Sequence, residues 1–153
     1  MRGARLRPAG SLLARAAVLA SCALASAGPA AGGTPHVDYM LQCQGCHLAD
    51  GSGSPGAVPS FRDFVGRFTT VPGGREYLVR VPGSAQSPLS DAELAAVLNW
   101  MVREFGPEEV AVDFVPFSAD EIVRLRTPPL TDVEGVRREL VSRVESQKNA
   151  ARR

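Results

Sequence analysis

The stretch Cys43-Gln44-Gly45-Cys46-His47 decides how the rest of the chain is read. Its thiols stand at i and i+3, one helical turn apart on one side, and an imidazole follows directly. Gly45 keeps the turn slim between them. Three chemistries use cysteines at this spacing. A redox dithiol normally opens a helix in a βαβ setting, and no strand–helix alternation follows here. A structural zinc site needs four ligands, but Cys22 and His36 are the only other cysteine and histidine. The third is C-x-x-C-H attachment of c-type haem, in which both thiols add across porphyrin vinyl groups. Cys43 and Cys46 then bind the cofactor, and His47 supplies the proximal iron ligand.

The N-terminus bears on the same question. Residues 1–27 read as a secretory signal: Arg2, Arg5 and Arg7 form a basic head, an Ala/Leu-rich core follows, and Ala25-Ser26-Ala27 fits small-x-small cleavage. Leu19-Ala20-Ser21-Cys22 is a rival, a lipobox-like run that would make Cys22 a lipid anchor; an uncleaved anchor is the third option. No other segment approaches the ~18 apolar residues of a membrane span. Residues 28–35 are a small-residue, Pro/Gly-rich lead-in, read as flexible. The 153 residues carry a formal charge of +1. Setting aside Arg2, Arg5, Arg7 and Arg15 leaves thirteen basic against sixteen acidic residues, about −3. That balance gives no sign of a nucleic-acid partner.

Residues 36–106 read as the haem domain. Val37, Met40 and Leu41 recur at i, i+3 and i+4, a short helix leading into the motif. From Leu48 to Phe61, dense Gly and Pro deny a regular element and force a loop able to wrap a flat cofactor. Phe61, Phe64, Val65 and Phe68 stand at helical spacing. Pro72-Gly73-Gly74 breaks the chain before a short helix over 75–81, with Leu78 and Val81 inward. Pro82 to Pro88 is again irregular. Ser90-Asp91-Ala92-Glu93 is a capping box. It opens the strongest helix, Asp91 to Phe105, with Leu94, Leu98, Met101 and Phe105 on one stripe and Gly106-Pro107 as the stop.

These features together resemble a class I monohaem c-type cytochrome of the small bacterial type, over about residues 36–105. The resemblance implies an all-α domain wrapped around one covalent haem c. It also implies a proline twelve residues after the ligand histidine, whose carbonyl accepts a hydrogen bond from Nδ1; Pro59 stands at that spacing. Phe61, two residues on, matches an apolar haem contact, and residues 89–100 are similar to the family's closing helix. Trp100 takes the place of an aromatic residue there, read as packing. Attachment of haem outside the cytoplasmic membrane of bacteria, which the resemblance implies, agrees with the leader and with a periplasmic protein. The implied role is one-electron transfer rather than enzymology, with a dehydrogenase, an oxidase or a membrane cytochrome complex as partner.

One feature departs from the pattern. The family's second iron ligand is usually a methionine in the loop before the last helix, and Pro82 to Pro88 contains none. Met101 is the first choice among the remaining candidates, although its place in an apolar stripe suits a core residue better; Met40 and His36 are the others. An iron without that ligand leads to a different function, a five-coordinate protein that binds or senses a small gas. A fixed haem subunit of a larger redox complex is a further alternative.

Residues 107–153 exceed the family's usual domain and are read as a helical extension that packs on the haem domain, with a docking surface for a dehydrogenase or oxidase as the alternative. Ser118 with Glu121, and Thr131 with Glu134, look like two more capping boxes. They open helices to about Arg126 and about Val144. The second carries a stripe of Val133, Val136, Leu140 and Val144, and the tail after Val144 is expected to fray.

Overall fold

Ser90 begins the helix on which the others assemble. The structure, a computed structural model, describes residues 33–153 except 63, 109, 111 and 112. The leader, its Cys22 and the first part of the lead-in lie outside the described residues. The described helices are α1 (Pro35–Gln42), α2 (Gln44–His47), α3 (Val65–Phe68), α4 (Gly74–Arg80), α5 (Pro82–Ala85), α6 (Asp91–Phe105), α7 (Ala119–Leu125) and α8 (Val133–Ala151). One isolated bridge, Ser54 to Val58, is the only strand-like pairing among the described residues. The class is all-α.

At the start of α6, Ser90 Oγ accepts from the Glu93 N–H at 3.3 Å and the Glu93 carboxylate accepts from the Ser90 N–H at 2.8 Å. The Ser90 hydroxyl also donates to that carboxylate at 2.7 Å, and this bond, with the one from the Ser90 N–H, holds the Glu93 carboxyl below its usual range. Leu94, Leu98, Met101 and Phe105 are buried as their spacing predicts. Ala95, Val97 and Val102 are buried with them, because α1, α3 and α7 all pack on this helix.

Thr34 caps α1 by accepting from the Val37 N–H at 3.4 Å, and Pro35 takes the first helical position. The face α1 turns inward differs from the one its aliphatic spacing suggests. Val37, Met40 and Leu41 are 43, 49 and 72% exposed, whereas Asp38 and Tyr39 are buried. Tyr39 is the reason. Its ring lies 5.1 Å from Trp100 and 5.2 Å from Phe105, and its hydroxyl donates to the Leu48 carbonyl at 2.6 Å. A large ring with a satisfied polar tip outweighs three aliphatic side chains in setting the helix's rotation.

The aromatic stretch after Phe61 forms only a single turn, α3, with Val65 and Phe68 buried. The segment read as irregular before α6 contains the single turn α5. Within α4 the inward residues are Tyr77, Leu78 and Val79, and Val81 is only partly buried. Gly74 starts α4 so close to α3 that a Cβ there would fall onto the Phe68 carbonyl. Gly74→Ala is therefore expected to destabilise the fold by about 1–3 kcal/mol. The loss would appear as a lower urea midpoint at unchanged m-value; an unaltered midpoint would show that α3 and α4 can part without cost.

Residues 107–153 belong to the same compact unit, Gly33–Arg153. Before α7 the backbone of Phe117 is gripped by Asn99, which donates to its carbonyl at 2.9 Å and accepts from its N–H at 2.7 Å. Ser118 caps α7 by accepting from the Glu121 N–H at 3.2 Å. The return half of that capping box is absent, because both Glu121 oxygens are taken by Arg75, at 2.7 and 2.6 Å. The same guanidinium lies 3.9 Å over the Phe117 ring. At α8 the cap is Asp132, accepting from the Gly135 N–H at 2.9 Å, rather than Thr131. The helix continues past Val144 to Ala151. No proline or glycine interrupts it after Gly135, and Glu139 pairs with Arg143 at i,i+4. Its stripe buries Leu140 and Val144 fully, and Val133 and Val136 in part.

Candidate haem site

The motif occupies the joint between α1 and α2. The Cys43 N–H donates to the Tyr39 carbonyl at 2.9 Å, ending α1. The Cys43 carbonyl then accepts from the N–H groups of Cys46 and His47, at 3.2 and 3.0 Å. One turn thus carries both thiols and the imidazole. The cysteines are free thiols, Cys43 half-buried and Cys46 exposed. Burial, with Cys46 beside it, pushes the Cys43 thiol up to about 11. A redox dithiol requires the opposite shift. Among the described residues, no group of three or more His, Cys, Asp or Glu could hold a metal ion.

After His47 the backbone turns sharply. Leu48 has φ 59° and ψ 168°, the only positive φ of a described non-glycine residue. That region costs about 1–3 kcal/mol and persists where surrounding contacts enforce it. Here the Tyr39 hydroxyl holds the Leu48 carbonyl, and the Gly53 N–H donates to the His47 carbonyl at 3.2 Å. The loop folds back until the Phe61 N–H reaches the Gly51 carbonyl at 2.8 Å. Gly51, at φ +73°, leaves only enough room for Phe105: a Cβ would come 2.8 Å from its ring.

This return places Phe61 flat on His47, with ring centroids 3.8 Å apart and planes 17° apart. Phe105 follows 6.0 Å beyond Phe61. His47 Nδ1 is buried and makes no fully aligned hydrogen bond. Burial lowers the imidazole's proton affinity, and the nearby Pro59 carbonyl acts in the opposite direction. With Nδ1 turned inward beside Pro59, Nε2 is the nitrogen free to meet iron. Two thiols one turn apart, an inward Nδ1 and a carbonyl to receive it are a donor set that fits a c-type haem.

Met101 is not among these residues. It is 4% exposed in the core on α6, one turn before Phe105. Met40 is half-exposed on α1. His36 stands in the first turn of α1 with its ring stacked on Trp100, 5.2 Å away at 26°.

Two residues important to the site's surroundings carry little signal in the sequence. Tyr39 announces itself only by standing one turn before Cys43. Arg126, just after α7, binds the connection between α5 and α6. It donates to the carbonyls of Ala85 at 2.9 Å, Ser87 at 2.5 Å and Leu89 at 2.8 Å, to Ser87 Oγ at 3.2 Å, and pairs with Asp91 at 2.9 Å.

An all-helical domain closed around a C-x-x-C-H turn has the architecture of a small c-type cytochrome. Comparison with known proteins agrees. The chain is 36% identical to cytochrome c-552 of Thermus thermophilus over 108 aligned positions, spanning 59% of this chain and 82% of that protein. It is equally similar to a second cytochrome c-552 from a named strain of the same organism, of which 73% is covered. The chain belongs to the c-type cytochrome family. A scan against models of known protein families gives no match. Fifty-nine per cent of 153 residues is about 90, so about 18 of the 108 aligned positions have no counterpart in this chain.

Proposed function

We propose that this chain is an exported class I monohaem cytochrome that carries single electrons between redox proteins. One observation carries the reading: the Cys43–His47 turn lies in an all-helical domain 36% identical to cytochrome c-552. Haem c, when bound, supplies one-electron exchange between ferric and ferrous iron. The chain's own residues hold and tune it. Cys43 and Cys46 anchor the ring by thioethers, and His47 Nε2 ligates the iron. Pro59, through Nδ1, fixes the imidazole's tautomer and orientation. Phe61 covers one face of that imidazole. Residues 1–27 direct the chain to the periplasm, with anchoring through Cys22 as the alternative. A dehydrogenase, an oxidase or a membrane cytochrome complex would exchange electrons with it.

The test is direct. Produced in an export-competent host that attaches haem, the protein is expected to retain one haem per chain through denaturation and acid–acetone extraction. It should also cycle reversibly between ferric and ferrous spectra. Haem that extracts freely, or a colourless protein, would overturn the reading.

A further inference from the structure

A haem held by His47 on one face leaves its iron one position on the other, and the side chains able to fill it can be followed one by one. Resting on the function proposed above, we infer that no side chain of the described residues ligates iron opposite His47. That position takes a small neutral diatomic ligand of the carbon monoxide or nitric oxide class.

Histidine, methionine, lysine, tyrosine and cysteine are the side chains that ligate haem iron. Cys43 and Cys46 are committed to the ring. His36 is occupied by its stack on Trp100. Tyr39 spends its hydroxyl on the Leu48 carbonyl, and the Tyr77 ring is buried edge-on against Phe68 at 5.4 Å. Lys148, the chain's single lysine, stands near the end of α8. Met40 is on α1, within the turn that runs into Cys43, on the thiol side of the motif. Met101 is one turn before Phe105 on the same face of α6. Phe105 packs on Phe61, and Phe61 on His47, while Met101 is closed into the core at 4% exposure, away from the exposed surface around the motif.

The resemblance to c-type cytochromes implies a second ligand in the connection before α6. That connection consists of Val81, α5 and Gln86 to Ser90, and holds no ligating side chain. It is also held in place. Arg126, its side chain 15% exposed, makes five hydrogen bonds to residues 85–91. The chain is shorter than its relative by about 18 positions in the matched stretch. A connection clamped from Ala85 to Asp91 is held against swinging another residue toward iron.

The test uses the full-length holoprotein. Attachment is verified first by retention of haem through acid–acetone; failure there overturns the proposed function itself. With haem attached, the ferrous protein is expected to be high-spin and five-coordinate, and added carbon monoxide should shift its Soret band completely. Met101→Leu, Met40→Leu and His36→Ala should leave both spectra and carbon monoxide binding unchanged. A low-spin ferrous spectrum that excludes carbon monoxide would overturn this inference alone. So would the gain of carbon monoxide binding in any one of the three variants.

Discussion

Replacing Cys43 and Cys46 together by serine is expected to abolish covalent haem completely. A haem-stained band at the size of the chain should vanish from a denaturing gel. The two thiols stand on one turn with free sulfurs, and the backbone N–H groups of Cys46 and His47 share the Cys43 carbonyl as acceptor. Serine keeps the turn and its backbone bonds but cannot form a thioether. The loss should extend to the fold. A chain whose described body is about 120 residues builds only a modest core, and residues around the motif, among them Met40, Leu41 and Leu48, remain exposed. A macrocycle held against that surface would bury apolar area at about 25 cal/mol per Å². Haem staining that persists in the double variant would show that the motif does not attach it.

Removing the Arg126 side chain is expected to cost about 2–4 kcal/mol, because hydrogen bonds to a charged group contribute more than neutral ones and their loss strands their partners. Three main-chain carbonyls lose their donor at once, as do Ser87 Oγ and Asp91. Urea titration of holo Arg126→Ala measures the effect. Arg126→Lys should recover less than half of the loss, since an ammonium cannot reproduce the planar fork. Full stability in Arg126→Ala would show that the connection holds its shape without the clamp.

The sequence made α6 plain because its instructions are local: a capping box at Ser90 and Glu93 and apolar residues at helical spacing read the same in a peptide as in the fold. The haem motif was legible for the same reason. Where the reading missed, a distant residue had intervened. Glu121 looked like the far side of a capping box, but Arg75 claims it across the chain. Val37, Met40 and Leu41 looked like the buried stripe of α1 until Trp100 and Phe105 drew Tyr39 inward. At α8 two adjacent candidates, Thr131 and Asp132, competed for the same cap, and spacing could not choose between them. Arg126 left no trace because most of what it binds is backbone, which has no letter.

Chains are made from the N-terminus, and domains begin to fold in that order. Arg126 closes the connection at residues 85–91, and the Arg75–Glu121 pair also waits on residues past 120. The turn at Cys43–His47 therefore emerges some eighty residues ahead of the clamp. For that interval the thiols belong to an unfinished body, open to whatever enzyme must reach them. A segment made much later then fastens the residues that follow the motif into place.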